Sequence, residues 1–256
     1  MSLQRNFGWM LHGLTLAGLV AVSALRAAPT PASTLERVVV QLPFSHGFQF
    51  AGYYAAQIEG YFAEAGLEVV LEPARDTTDP VTEMLEGRAQ YAVLGSEALL
   101  HRLNGRPVVL VSTIYQHSAF GLVVPAESSI QSPSDLAGRR LAIQDEPRYA
   151  EIWSMLLQEG IRRDQIRQVP ESWHVNELQT GEADAMAAYY VNRPRLYAEQ
   201  GNYRVLRPAR YGADFYGDGL YTTETEVKRN PERVEAVRLA VLRGWAEALA
   251  RPEIVI

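Results

Sequence analysis

Cysteine is absent from the 256 residues, so the chain has no disulfide, no cysteine-based metal site and no thiolate nucleophile. A lipid-modified cysteine behind an export signal is excluded for the same reason. Lys228 is the only lysine, and the basic residues form no stripe along the sequence. Together with a net charge of -6, this pattern is the opposite of what a nucleic-acid-binding surface requires.

Motifs of the common enzyme classes are missing as well. The sequence has no glycine-rich phosphate loop, no G-x-S-x-G elbow and no H-E-x-x-H zinc motif. Its five histidines are scattered without the spacing of metal ligands. We therefore expect no catalytic residues, no metal site and no cofactor, and we predict that the protein is not an enzyme.

The longest apolar run lies close to the N-terminus. Residues 9–25 are mostly apolar, Arg5 precedes them, and small residues suited to a cleavage site follow at 24–28. Such a run of about 17 residues is at the lower limit for a membrane span. We predict that residues 1–28 are a signal peptide or a membrane anchor and that residues 29–34 are a linker. In both cases the rest of the chain is periplasmic, either soluble after signal cleavage or anchored in the inner membrane.

Short runs rich in β-branched residues alternate with helical patterns along the chain. The helical patterns include one over residues 48–63, a second with Asp79 as its N-cap, and a long amphipathic helix that starts at Pro231. Strands are predicted at residues 37–42, 67–72, 91–94, 107–115, 120–124, 140–143, 165–169 and 183–190. This order predicts an α/β fold with mostly parallel sheets flanked by helices. No internal repeat is evident.

Six short motifs follow one another in a specific order: QFAGYYAA at 49–56, GSE at 95–97, IYQHSAF at 114–120, DLAGRRLA at 135–142, GEADA at 181–185 and GWAEA at 244–248. Their order and spacing resemble those of the periplasmic solute-binding proteins of the thiamine-pyrimidine-precursor and alkanesulfonate type. The pyrimidine-binding branch usually has glutamate where this chain has Arg193, so the resemblance leaves the ligand open.

The resemblance implies a two-lobed periplasmic-binding-protein (Venus-flytrap) fold whose lobes close over a ligand. Lobe 1 is expected to comprise residues 35–122 and 222–256, and lobe 2 residues 126–218. The chain is expected to cross between the lobes near residues 122–126 and 218–222.

The function implied by the resemblance is extracytoplasmic binding of a small polar solute and its delivery to an ABC permease. The alternative is a sensor domain of a membrane-bound signalling receptor, for example an amino-acid sensor coupled to a cytoplasmic output domain. The resembled family also includes pyrimidine synthases that use a pyridoxal-phosphate lysine and a cysteine-rich motif. This chain has no cysteine, and Lys228 lies beyond the second crossover, so a binding protein is favoured over an enzyme.

Polar and aromatic side chains follow three predicted strands of the first lobe. Ligands of open α/β sheets bind at such carboxyl ends of strands. The candidates for ligand contact are Phe44, His46, Gln49, Tyr53, Ser96, Glu97, Tyr115, Gln116 and His117. Core packing of Phe48 and Phe50, helix capping by Ser96 and a structural hydrogen bond of His117 are the alternatives to a binding role.

In the second lobe and the return crossover the candidates are Glu146, Tyr149, Tyr190, Asn192 and Asp218. Alternation along a strand directs one of Tyr189 and Tyr190 to the core, and we predict that Tyr190 faces the cleft. Asp214 or Asp218 is expected to meet a ligand amine, unless both serve a turn. The expected ligand classes are an amino acid, an amine, a sulfonate or a pyrimidine-like compound, and no nucleic acid.

Overall fold

A computed structural model describes residues 34–75, 78–144, 146–171, 176–190 and 202–255. The predicted leader at 1–28 and almost all of the predicted linker lie outside these ranges. No helix within them is both long enough and apolar enough to cross a membrane.

The described chain alternates between strands and helices, as the sequence predicts. The strands are β1 (Glu36–Gln41), β2 (Leu67–Glu72), β3 (Tyr91–Leu94), β4 (Val108–Thr113), β5 (Phe120–Pro125), β6 (Arg140–Ala142), β7 (Arg167–Val169), β8 (Ala185–Tyr189), β9 (Tyr203–Leu206) and β10 (Gly219–Thr223). The α-helices are α1 (Ala51–Ile58), α2 (Tyr61–Glu64), α3 (Pro80–Leu85), α4 (Ala98–Leu103), α5 (Ala150–Gln158), α6 (Asn176–Gln179), α7 (Glu224–Arg229) and α8 (Pro231–Ala250).

Two five-stranded sheets share one topology. The first has the order β2-β1-β3-β10-β4 and the second the order β7-β6-β8-β5-β9. In the first sheet β10 runs antiparallel to its neighbours, and in the second sheet β5 does so. The remaining strands of each sheet run parallel to one another. The predicted two-lobed α/β fold with mostly parallel sheets is therefore confirmed, and each lobe repeats a topology that the sequence does not reveal.

The helix predicted over residues 48–63 is divided into shorter pieces. A 3-10 turn at Phe48–Phe50 leads into α1, and Gly60 has a φ of 76° between α1 and α2. A left-handed residue interrupts helical hydrogen bonding, and glycine adopts this conformation without steric cost. The predicted N-cap of α3 is confirmed, because the Asp79 carboxylate accepts a hydrogen bond from Val81 N at 3.2 Å.

The crossovers between the lobes lie a few residues before the predicted ones. Residues 122–125 belong to β5, which pairs with β8 and β9 of the second sheet, so the chain crosses at residues 114–119. Residues 219–222 belong to β10 of the first sheet, so the return crossing is at residues 213–218. The predicted ranges are apolar or glycine-rich runs, and their composition does not show which sheet will include them.

The two crossovers hydrogen-bond to each other and form a two-stranded hinge. Ile114 N and Tyr115 N both donate to the Asp218 carbonyl oxygen, at 3.1 and 2.9 Å. Gly217 N donates back to the Tyr115 carbonyl oxygen at 3.0 Å. A Cβ on Gly217 would lie 2.9 Å from the Tyr115 Cβ, so glycine permits this close pairing. The hinge thereby fixes the positions of Tyr115 and Asp218 relative to both lobes.

Helix α8 packs closely on α1 and covers the first sheet. Its predicted apolar face is confirmed by the burial of Val237, Val241 and Trp245. A Cβ on Gly244 would lie 2.0 Å from the Gly52 carbonyl oxygen, and a Cβ on Gly52 would lie 2.2 Å from Trp245 Cγ. These two glycines therefore allow the helices to approach at backbone distance.

Gly244→Ala is expected to destabilise the protein, although alanine in a helix is normally favoured by about 1 kcal/mol. The added methyl group would collide with α1, and such overpacking costs about 1–3 kcal/mol. Urea denaturation followed by circular dichroism measures the free energy of unfolding. Leu249→Ala, on the exposed side of the same helix, is the control and should change it by less than about 0.5 kcal/mol. A Gly244→Ala variant as stable as the wild type would contradict this packing.

Candidate ligand-binding site

A cavity of about 650 Å³ lies between the two lobes. Its walls are loops that follow the carboxyl ends of β1 and β2 in the first lobe and of β6 and β7 in the second. This is the position at which open α/β sheets bind ligands. The volume lies within the usual range for small-molecule sites, roughly 300–1,000 Å³.

The first lobe supplies an aromatic wall. Phe44 and Phe48 line the cavity, and 45% of Phe48 is exposed although its side chain is large and apolar. His46 lies between them, also on the cavity, and its Nδ1 contacts the Tyr54 hydroxyl. Exposed aromatic faces beside a polar ring suit a flat solute with polar edges.

The second lobe supplies a charged wall. Arg148 pairs with Glu146 at 2.5 Å, and its guanidinium lies 5.5 Å from the centre of the Phe44 ring in the opposite lobe. The Tyr149 hydroxyl donates to Glu171 Oε2 at 2.7 Å, which orients that carboxylate toward the cavity. The contact between Arg148 and Phe44 joins the two walls across the cleft.

Five residues beneath the cavity form what we call the floor cluster: Gln49, Tyr53, Tyr115, Tyr189 and Asp218. Tyr115 is at its centre, since its hydroxyl donates to the Gln49 carbonyl oxygen at 3.4 Å and its ring meets the Tyr189 ring edge-on at 6.2 Å. Tyr189 also lines the cavity, so the cluster is continuous with it.

Several polar atoms of the floor cluster are buried without a partner among the described residues. They are both amide atoms of Gln49, the Tyr53 hydroxyl and Asp218 Oδ2, which the Tyr189 hydroxyl faces. A buried polar group left without a hydrogen bond costs about 1–3 kcal/mol. Such groups beneath a cavity are therefore well placed to bind a polar ligand.

The electrostatics of the floor are acidic. Burial, and secondly the charge of Glu97, raise the pKa of Asp218 to about 7, against a smaller opposing effect of the Tyr189 hydroxyl. Burial also raises the pKa of Tyr53 and of Tyr115, and the carboxylate of Asp218 raises both further. The floor thus combines neutral hydroxyl groups with one carboxyl that exchanges its proton near neutral pH.

A second buried carboxyl lies close by, on helix α5 of the other lobe. Burial raises the pKa of Glu151 to about 8, the Ser118 hydroxyl that donates to it acts in the opposite direction, and Glu97 and Asp214 raise it further. Acids from both lobes and from the return crossover therefore gather around the hinge.

Seven of the predicted residues lie at the site. Phe44, His46 and Glu146 line the cavity, whereas the other four belong to the floor cluster: Gln49, Tyr53, Tyr115 and Asp218. The structure also distinguishes the two aspartates that are candidates for contact with a ligand amine. Asp214 is exposed and contacts His117 Nδ1 at 2.9 Å, while Asp218 is buried at the floor.

Other predicted residues lie elsewhere. Gln116 and His117 are exposed on the hinge and do not line the cavity. Tyr149 is buried behind the wall and acts through Glu171. Tyr190 is half-buried outside the cavity, beneath the Arg207 guanidinium, and the preceding Tyr189 takes the position expected for it.

The helix that Ser96 is predicted to cap begins one residue later than expected. The N-cap of α4 is Glu97 rather than Ser96, and the Glu97 carboxylate accepts a hydrogen bond from Gly95 N at 2.9 Å. Ser96 lines a separate groove of about 300 Å³ on the first lobe. Asn192 lies outside the described residues.

Sequence reasoning missed several residues of the site. They are Arg75, Thr78, Gln144, Glu171, Met186, Ala188 and Tyr189. The position of Arg75, Thr78 and Gln144 just after predicted strands was a usable signal. Nothing in the sequence separates Tyr189 from Tyr190, because every residue of β8 is buried and alternation gives no outward face.

Comparison with known proteins agrees with this architecture. A model of the family described as NMT1/THI5 like matches residues 47–254, which is most of the chain. This chain belongs to the NMT1/THI5-like family. In fold, it is similar to the periplasmic aliphatic sulphonate binding protein SsuA of Escherichia coli, with a TM-score of 0.70, 16% identity, and coverage of 86% of this chain and 76% of SsuA.

Three curated relatives of this NMT1/THI5-like chain are informative. Riboflavin-binding protein RibY of Chloroflexus aurantiacus is 28% identical over 243 residues, covering 90% of this chain and 68% of RibY. The formylaminopyrimidine-binding protein of Halalkalibacterium halodurans is 26% identical, covering 94% of this chain and 74% of its own. The third is 4-amino-5-hydroxymethyl-2-methylpyrimidine phosphate synthase of Aspergillus parasiticus. It is 25% identical, and the match covers 79% of this chain and 64% of the synthase. The two with higher identity are named as binding proteins and the third as an enzyme.

Glu151→Gln is expected to flatten the pH dependence of stability. Between the ordinary glutamate pKa of 4.5 and the folded value of about 8, the folded protein keeps a proton that the unfolded chain releases. The free energy of unfolding therefore falls as pH rises through this window. Urea denaturation at pH values from about 5 to 8 should show a smaller fall for the variant than for the wild type.

Glu127→Gln, an exposed change in the same lobe, is the matched control and should leave the slope unchanged. Equal slopes for Glu151→Gln and the wild type would show that Glu151 is ionised in the folded protein.

Proposed function

We propose that this protein binds a small, flat, nitrogen-containing heterocycle in the cleft between its lobes and delivers it to an ABC importer. The observation that carries the proposal is the cavity of about 650 Å³ above buried, unpartnered polar atoms of the floor cluster. A ligand that fills the cavity and bonds to these atoms contacts both lobes and the hinge, and so favours a closed arrangement.

The aromatic wall supports a flat ligand. Phe44 and Phe48 offer ring faces on one side, and Tyr189 offers a ring on the other lobe. Rings of this kind pack against heterocycles by offset or edge contacts worth about 0.5–1.5 kcal/mol each. An amino acid without a ring would leave these faces exposed to water.

The charge of the floor supports a heterocycle over a sulfonate. A sulfonate carries a permanent negative charge, which the carboxylate of Glu97 and the ionised form of Asp218 would repel. Arg75 and Arg148 line the cavity wall away from the floor, and Arg148 is already paired with Glu146. The relatives named for riboflavin and formylaminopyrimidine also share more sequence with this chain than the sulphonate-binding protein does.

Delivery to an importer is supported by the solved proteins that share this fold. The solved neighbours include a periplasmic sulphonate-binding protein and the substrate-binding protein of an amino acid ABC transporter. We place the described lobes in the periplasm on the same ground. The hinge allows a closed, loaded form to differ in shape from an open one, which is the difference that a permease recognises.

A thermal-shift screen tests the ligand class. The panel is riboflavin, formylaminopyrimidine, an aliphatic sulfonate and an amino acid mixture. We expect a heterocycle to raise the melting temperature, since a ligand at a hundredfold its Kd adds about 2.7 kcal/mol to stability. Stabilisation by the sulfonate alone would overturn the choice of a heterocycle, and the absence of any shift would overturn the binding site.

Phe44→Ala is expected to weaken binding of the heterocycle about tenfold, because loss of the ring contact removes about 1.4 kcal/mol. Isothermal titration calorimetry measures the Kd. Tyr216→Ala removes another exposed aromatic ring, 59% accessible and outside the cleft, and should leave the Kd unchanged. Equal effects of the two substitutions would show that the ligand does not contact the aromatic wall.

Uptake by cells tests delivery. Deleting the gene should abolish uptake of the heterocycle at concentrations near its Kd, and the wild-type chain, but not Phe44→Ala, should restore it. Unchanged uptake together with retained binding would instead support a sensor domain.

A further inference from the structure

We propose that the floor cluster is a subsite for a cationic nitrogen group of the ligand, such as an amidinium or a protonated amine, with Asp218 as its counter-ion. This inference rests on the proposed function, because it uses the same interlobe cleft, and it specifies the chemistry of the ligand atom that reaches the floor.

The surroundings of Asp218 are acids and hydroxyl groups. It is 7% exposed, its Oδ2 has no partner at hydrogen-bond distance among the described residues, and the Tyr189 hydroxyl stabilises its ionised form. The groups that face it come from every element packed around it: Tyr53 of α1, Glu97 before α4, Tyr115 of the hinge, Tyr189 of β8 and Tyr221 of β10. Each of these described groups is an acid or a phenol, so none supplies a positive charge.

Two other carboxylates among the described residues are paired with arginine, whereas the buried Glu151 and Glu171 accept hydrogen bonds from the hydroxyls of Ser118 and Tyr149. Glu226, 9% exposed, bonds to the Arg233 guanidinium at 2.6 Å. Asp184 bonds to Arg140 at 2.8 Å. Such pairing is the usual way to offset the cost of burying a carboxylate. Asp218 has no arginine partner and lies beneath the ligand cavity. A cationic group of the ligand in the cavity would take the place of that arginine.

The remaining floor atoms complement a nitrogen group with several N–H donors. The Gln49 amide oxygen and the Tyr53 hydroxyl can each accept a hydrogen bond, and both are unpartnered within the described protein. Asp218 supplies a charge-assisted bond, which is stronger than a neutral one. A carboxylate or sulfonate in the same place would meet the charge of Glu97 and, above about pH 7, that of Asp218, and would be repelled.

Proton release follows from this arrangement. Burial and Glu97 raise the pKa of Asp218 to about 7, so the carboxyl is mostly protonated in slightly acidic buffer. A bound cation favours the ionised carboxylate and therefore displaces the proton. Binding of a permanent cation at about pH 6 should release close to one proton, whereas binding of a neutral analogue should release none.

Benzamidine and benzamide are matched probes, since both are flat and of equal size and only benzamidine carries a permanent positive charge. Isothermal titration calorimetry on the full chain at about pH 6, in two buffers of different ionisation enthalpy, gives both Kd and protons released. We expect benzamidine to bind at least about tenfold more tightly than benzamide, because a charge-assisted bond replaces a neutral one. Benzoate should bind more weakly than benzamidine, because it brings a negative charge toward Glu97.

Asp218→Asn should abolish both the preference for benzamidine and the proton release. Asp214→Asn, an exposed change on the same crossover, should retain both. Tyr53→Phe removes a floor hydroxyl without changing charge, and should weaken both probes while keeping the proton release. Circular dichroism confirms that each variant is folded.

Two results would overturn the inference: benzamide binding as tightly as benzamidine, or Asp218→Asn keeping the preference. If either result is found while a heterocycle still binds the wild type, only the inference about Asp218 is wrong and the proposed function is retained. If neither probe nor any heterocycle of the panel binds, the inference and the proposed function are both wrong.

Discussion

Asp218 and the side chains around it are buried at the junction of two lobes, and several of their polar atoms have no partner within the described protein. Removing such groups from water is unfavourable unless a hydrogen bond replaces the lost hydration. The same residues hold the two crossovers together through their backbone, since Tyr115 N and Ile114 N donate to the Asp218 carbonyl oxygen. The proposed binding groups and the two crossovers are therefore one structural unit, and a ligand bonded to the floor would contact the segments that join the lobes.

The rest of the fold supports this junction. The two sheets have the same strand order, and in each the antiparallel strand is the one that follows a crossover, β5 in the second lobe and β10 in the first. The carboxyl ends of their parallel strands therefore face a common cleft. On the first lobe, α8 packs against α1 through Gly244 and Gly52, and Trp245 of α8 meets the Tyr115 ring edge-on at 5.7 Å. Helix α8, on the outer side of the first lobe, therefore contacts the floor cluster through Trp245 and Tyr115.

The sequence predicts the fold well and the site in part. Hydrophobic periodicity and the positions of glycine and proline identify most strands. Strand ends identify Phe44 and Gln49, and the acidic, glycine-rich segment before the return crossover identifies Asp218. Residues 120–124 are apolar in a way that suits either lobe, so the crossover was placed too late. Tyr189 and Tyr190 could not be separated, because β8 is buried on both faces. The pairing of Arg148 with Phe44 joins distant parts of the chain and depends on the arrangement of the lobes, which no local pattern encodes.

A crystal structure of the protein with a heterocycle from the screen tests the central claim most directly. The account predicts that the ligand lies between the two lobes, with a polar atom within hydrogen-bond distance of Asp218 and of at least one of Gln49, Tyr53 and Tyr189. A ligand bound on the surface of one lobe, with these floor atoms still lacking a ligand contact, would contradict it.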